Sequence, residues 1–300
     1  MDGYDELALR FEERRGRLRA VAYRMLGSPG EADDAVQEAW LRLARTGGDG
    51  IGDLGAWLTT VVSRICLDQL RSRAARREEP YGMSPPPVSA GGSPEEEALT
   101  ADAVGLALLV VLDRLSPAER VAFVLHDLFA VDFERVAAVV GRSQPAAKKL
   151  ASRARHKVRG TPAVPGDALE RHRHVVEAFL AAARGGDLGA LLHVLAPGVV
   201  RRSDPAVLPP GVPAELRGAR AVAEGTVLLG HRARWAAPAL VDGAVGAVVA
   251  PHGRLVCVLT FTVAGERVAS YDVLAGPERL RRLDLAVLDL PGVSPPSPTR

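Results

Sequence analysis

The chain has 300 residues, a formal net charge of +2, and 47% hydrophobic against 25% charged residues. That length suits two or three domains, each able to bury its own core, and the apolar share excludes a disordered chain. With no apolar run near membrane-spanning length and no N-terminal apolar segment, neither a membrane span nor an export signal is expected. The two cysteines, Cys66 and Cys257, lie far apart; they offer no disulfide framework and no metal site, and they point to a cytoplasmic protein without a metal or other cofactor.

Residues 5–77 read as helical, with apolar residues at helical spacing in Leu7–Leu26, Asp33–Ala44 and Gly55–Leu70. Ser28-Pro29-Gly30 and Gly47-Gly48-Asp49-Gly50 mark the breaks. Asp33, Asp34, Gln37 and Glu38 make an acidic edge beside the apolar stripe Val36, Trp40 and Leu43. Taken alone, that edge reads better as a capped amphipathic helix with acids near its N-terminus. Trp57–Arg71 is apolar along one side and runs into the basic cluster Arg71, Arg73, Arg76 and Arg77. Glu79–Gly92 is rich in Pro, Ser and Gly and reads as linker. Ser93-Pro94-Glu95-Glu96 and Ser116-Pro117-Ala118-Glu119 each carry a helix-opening pattern: a capping Ser, Pro in the first turn, acids near the positive end.

The charge is strongly segregated: residues 113–160 hold ten basic against five acidic residues. Within them, Gly141–Arg159 carries Arg142, Lys148, Lys149, Arg153, Arg155, Lys157 and Arg159 and no acid. Ala147, Leu150, Ala151, Ala154 and Val158 fall on one side of a helix, with Lys148, Lys149, Ser152, Arg153 and His156 on the other. Phe133–Val140 is a short amphipathic helix, Gly141 suits its left-handed end, and Ser143 and Pro145 suit the start of the next. Helix, glycine turn, capped basic helix is a helix-turn-helix, whose cationic face suits a DNA groove. A basic surface helix in an ordinary hairpin is the plainer alternative.

From Asp167 the pattern changes. Ala168–Arg184 and Leu188–Leu195 read as helices, and Val245–Val249, Leu255–Val263 and Val268–Leu274 as strands, which gives an α+β domain. Pro291–Arg300, with four prolines, reads as a disordered tail. The chain is thus multidomain: two all-α helical domains at 1–78 and 113–160, a linker at 79–112, an α+β domain at 167–290 and a tail at 291–300.

Ala22-Tyr-Arg-Met-Leu-Gly27, Asp33-Asp-Ala-Val-Gln-Glu-Ala-Trp-Leu41, Trp57-Leu-Thr-Thr-Val61 and Leu115-Ser-Pro-Ala-Glu-Arg120, in this order, resemble the extracytoplasmic-function RNA polymerase sigma factors. The resemblance implies a sigma factor that binds core RNA polymerase and directs promoter-specific initiation. Asp33, Asp34, Gln37, Glu38, Trp40 and Leu41 would dock on the polymerase. Trp57, Arg64, Asp68, Arg71, Arg73, Arg76 and Arg77 would open the −10 element and hold its single strand, with Arg64 standing where the family commonly has Asn. Arg142, Lys148, Lys149, Ser152, Arg153, Arg155 and His156 would face the double-stranded −35 element. Lys or Arg there could donate to guanine, while Arg142, Arg155, Lys157 and Arg159 suit phosphates.

The C-terminal part resembles the SnoaL-like, NTF2-type cone of the SigJ-type subgroup, through Val175–Asp187, Leu195–Val200, Arg217–Val222 and Leu259–Val263. The resemblance implies an extension that tunes activity, with no separate membrane anti-sigma factor. The subgroup's Asp-Gly-Gly-Gly turn is here Ser203-Asp204-Pro205-Ala206, its Asn-Pro-Asp-Lys-Leu is Gly276–Leu280, and its linker Trp-Leu-Pro-Glu-Pro is Met83–Pro87. Cones of this type enclose pockets, and Asp204, His231, Asp242, His252 and Asp272 are the candidates for a small-ligand site or an acid–base pair; the plain alternative makes them turn and strand-end residues. No catalysis is expected. A stand-alone helix-turn-helix repressor and an enzyme carrying a DNA-binding domain are the competing classes.

Overall fold

A computed structural model describes residues 2–48, 50–78 and 103–288; the side chains of 2–3, 77–78, 103–104 and 231 fall outside that description. The described residues form two compact units, 2–78 with 112–157, and 103–111 with 158–288. The two helical regions separated in the sequence reading therefore share one unit. Most of the proposed linker (79–102) and the tail lie outside the described residues.

In the first unit, α1 (Asp2–Leu26), α2 (Pro29–Thr46) and α3 (Leu54–Glu78) pack together. Ser28 caps α2, its side chain accepting from the Glu31 N–H with Pro29 in the first turn. Leu18, Met25, Ala35, Leu43, Leu58 and Val62 are fully buried between the helices, each large side chain contributing roughly 1.5–3 kcal/mol. The last stretch of the proposed linker is not extended: Ala103–Leu112 is a helix, α4, buried from Leu106 to Leu112. Its sequence, AVGLALLVVL, is apolar all round, which suits a buried helix, and it lies in the helical segment expected after Ser93-Pro94-Glu95-Glu96, within the span assigned to the linker.

Ser116 and Glu119 close a capping box that opens α5 (Pro117–Phe123). The chain then widens into a π turn, Val124–Leu128, and enters α6 (Phe133–Val140), capped by Asp132. Gly141 ends α6 at φ 67°, a left-handed conformation that favours glycine, and α7 (Gln144–Arg159) follows. The Ser143 side chain accepts from the Ala146 N–H, as a cap should.

The second unit is α+β. Helices α8 (Gly166–Gly185) and α9 (Leu188–Val194) precede β1 (Leu195–Ser203) and β2 (Glu215–Arg217), and α10 (Ala219–Leu228) follows. Then come β3 (Ala236–Val241), β4 (Ala244–Val249), β5 (Cys257–Ala264), β6 (Arg267–Leu274), the short α11 (Pro277–Arg282) and β7 (Leu285–Ala286). The seven strands form one sheet in the order β2-β1-β6-β5-β4-β3-β7, antiparallel except for β1 against β6. Helix α8 lies across β3 to β6, and its Val176, Phe179, Leu180 and Ala183 join Leu195, Val199, Val222, Ala247 and Val268 in the core. The residue pattern alone did not give β1 or β3, since Ala-Pro-Gly in one and Ala-Ala-Pro-Ala in the other weaken the alternation, nor the short β2 and β7; only the family resemblance implied a strand before Ser203.

Candidate nucleic-acid interface

Helix α7 divides cleanly into two faces. Ala147, Ala151, Ala154 and Val158 have no solvent exposure, and their small side chains let α7 lie close against its neighbours. Arg142, Lys148, Lys149, Ser152, Arg153 and His156 are exposed. Lys148 leans over the Phe133 ring, 5.7 Å from its centroid. Lys149 and Arg153 make no ion pair among the described residues, so their charges are available to a polyanion.

Two basic residues of the same helix are already engaged. Arg155 donates to Asp127 at 2.6–2.7 Å, and the Asp127 side chain is almost wholly buried in the π turn. Lys157 donates to both oxygens of Glu119, at 3.0 and 2.9 Å. These pairs tie α7 to the helices beneath it, whereas the sequence reading gave both cations to DNA. Burial alone would raise the Glu119 carboxyl, but hydrogen bonds from Lys157 and Ser116 outweigh it and hold the group below its ordinary 4.5. A lowered folded value stabilises the fold above the unfolded value, and that contribution disappears as pH falls from 4.5 through the folded value. Glu119→Gln should therefore flatten the stability–pH curve over that interval, read from urea midpoints.

On α2, Asp33 is clasped bidentately by Arg19 at 2.7 and 3.2 Å, and Glu38 is held by Arg42 at 2.9 Å. Trp40 packs edge-on against Tyr4 and tilted against Phe11. Asp34, Gln37 and Leu41 are left pointing to solvent, and Leu41 is 46% exposed. On α3, Asp68, Arg71 and Arg76 are exposed, and Trp57 is half-buried. Arg73 turns inward, paired with Glu31 and donating to the Leu26 carbonyl at 3.1 Å, so it joins α3 to the α1–α2 corner. The Arg77 side chain lies outside the described residues.

The helix-turn-helix rests against the α3 side of this same unit. Arg64 donates to the Ala138 carbonyl at 3.1 Å and Arg17 to the Phe129 carbonyl at 3.2 Å, while Arg135 sits 3.6 Å from Asp53. Arg17, Phe129, Asp53 and Arg135 also line an open cavity of about 400 Å³, together with Arg14, Thr59 and Thr60.

In the second unit, the residues expected at a pocket are dispersed. Asp204 caps the turn at Pro205–Val207, Asp242 accepts from the Asp284 N–H at 2.7 Å, and Asp272 lies 3.8 Å from Arg202. His252 sits in a turn against Trp235, and the His231 side chain lies outside the described residues. None of them lines the cavity beneath α8, which is walled by Arg201, Ser203, Thr226, Arg232, Tyr271 and apolar side chains. The acids sit at turns because short polar side chains cap turns, and the sequence alone could not separate that duty from a site. Burial pushes the thiols of Cys66 and Cys257 up to about 12 each, so neither is a reactive nucleophile. Among the described residues no cluster of His, Cys, Asp and Glu could hold a metal, and no helix is long and apolar enough to cross a membrane.

Residues 10–76 match the family model for sigma-70 region 2, and residues 105–158 the model for sigma-70 region 4. The second match takes in most of α4. The ECF RNA polymerase sigma factor SigJ of Mycobacterium tuberculosis is 47% identical over 199 residues, 65% of this chain and 64% of that protein. A second M. tuberculosis protein, named SigI among ECF RNA polymerase sigma factors, is 38% identical over 68% of this chain and 72% of its own length. The chain thus spans just under two thirds of the first relative. The crystal structure of M. tuberculosis SigJ is 35% identical and covers 91% of this chain and 98% of its own, with a TM-score of 0.44. The chain belongs to the extracytoplasmic-function family of RNA polymerase sigma factors.

Proposed function

We propose that the protein is a promoter-specificity subunit: it binds core RNA polymerase and directs initiation, with no chemistry of its own. The observation that carries this is the division of α7, whose packed face is alanine and valine and whose open face presents Lys149 and Arg153 with no ion-pair partner among the described residues. That face would enter the major groove of the −35 element, and Arg142 and His156 at its margins would meet phosphates or base edges. Asp68, Arg71 and Arg76 on α3 would hold the displaced −10 strand. Arg64 is bound to the Ala138 carbonyl, so −10 engagement by that residue requires α6 to leave α3. The C-terminal unit would modulate this activity inside the cell, with no membrane-bound anti-sigma partner.

On α2, Asp34, Gln37 and Leu41 are the members of the acidic–aromatic set left free to meet the polymerase, because Asp33 and Glu38 are occupied. If this face docks, a carboxylate placed at Leu41 would be buried there without a partner. Leu41→Asp should weaken co-purification with core polymerase by about tenfold or more without lowering the melting temperature. Unchanged core binding would remove α2 from the docking surface.

A further inference from the structure

The cavity of the second unit has the chemistry of an anion site that no carboxylate of the protein fills. Val199, Arg201 and Ser203 alternate inward along β1, and Arg201 stands directly beside Tyr271 of β6 in the sheet register. Arg201 is 1% exposed, among the largest fully buried side chains. Its Nη2 lies 3.4 Å from the Pro213 carbonyl and the guanidinium also reaches the Tyr271 phenol oxygen, both neutral groups, while Nε and Nη1 have no hydrogen-bond partner. The buried Ser203 hydroxyl has none either. A second arginine, Arg232, lines the same cavity and donates to the Val207 carbonyl at 2.5 Å. No Asp or Glu lines it. Isolating a guanidinium from water costs several kcal/mol unless an anion and further hydrogen bonds meet it.

The surroundings preserve space for that charge. A Cβ on Gly225 of α10 would lie 3.0 Å from Arg201 Nη1 and 2.6 Å from Leu216 Cδ1, so any larger residue there would displace the ends of these two side chains. Thr226 donates to the Val222 carbonyl at 2.8 Å and has one hydrogen to give, so it accepts from the Tyr271 hydroxyl, also at 2.8 Å. Burial raises the Tyr271 phenol, against a smaller opposing effect of Thr226 and Arg201, which keeps it a donor. The other walls are apolar: Phe179, Leu180, Leu229, Val249, Leu259 and Val273 among them. The free volume is about 90 Å³, below the roughly 150 Å³ that accommodates a benzene ring.

We infer that this cavity binds a small monocarboxylate with a short apolar body, its carboxylate paired to Arg201 and hydrogen-bonded by Ser203. Inorganic phosphate, which has no apolar part, fits the walls less well. The test uses the full chain with no polymerase or DNA, so its outcome is independent of the promoter reading. Acetate, butyrate and isovalerate are titrated by calorimetry and by thermal shift, beside acetamide, butyramide and inorganic phosphate. At least one acid should bind and raise the melting temperature in a concentration-dependent way, with its amide roughly 10- to 150-fold weaker, the usual worth of a charged hydrogen bond. Arg201→Met should lose acid binding by a similar factor while melting at the same or a higher temperature, since it removes an unpaired buried charge. No binding by any acid, amides binding as well as acids, or acid binding that survives in R201M would each overturn the assignment. The acid–amide comparison needs no variant, so a poorly folded R201M would leave the test decisive.

Discussion

Replacing Lys149 and Arg153 together by alanine should cut promoter-dependent transcription by about 100-fold or more, with core binding and melting temperature unchanged. Each good side-chain contact to a base edge discriminates by about 1–3 kcal/mol, and the two positions lie one helical turn apart on the open face of α7. Neither side chain is buried or ion-paired among the described residues, so their removal leaves the core intact. The variant separates promoter reading from folding. A fall in core binding equal to the fall in transcription would mean that α7 faces the polymerase instead of DNA.

Replacing Arg155 by alanine should act in the opposite sense, on stability first. It strands the buried Asp127 carboxylate, one oxygen of which already has no hydrogen-bond partner. Breaking a buried pair costs about 3–5 kcal/mol; with Arg155 one-third exposed, about 2–3 kcal/mol is the better expectation, or a melting temperature lower by roughly 5–10 °C. Adding Asp127→Asn should restore most of it, which a double-mutant cycle by thermal melting will read. If Arg155 served only as a phosphate contact, Arg155→Ala would melt like the wild type and bind DNA more weakly.

Local features were the legible ones. The α6–Gly141–α7 junction follows from residues within a few positions of one another: a capping Asp, a glycine that accepts φ 67° and a serine that starts the next helix. Partnerships across the chain were not legible. Arg73 and Arg155 look like further members of a cationic run, and only the fold brings Glu31 to one and Asp127 to the other. In the C-terminal unit the acids and histidines drew attention, yet the cavity is built from Arg201, Ser203, Thr226 and Tyr271, contributed by β1, α10 and β6. One signal was present: the alternation of Val199, Arg201 and Ser203 puts an arginine on the face of a buried valine. The Ala-Pro-Gly at the start of β1, which weakens the alternation there, concealed it.

Run-off transcription with purified core RNA polymerase tests the central claim most directly, with a promoter selected by the protein from a random −35/−10 library. The account predicts transcripts that start at a fixed position, require both the protein and core, and disappear with the Lys149/Arg153 double variant. Footprinting on duplex DNA without core, combined with no transcript in its presence, would contradict it.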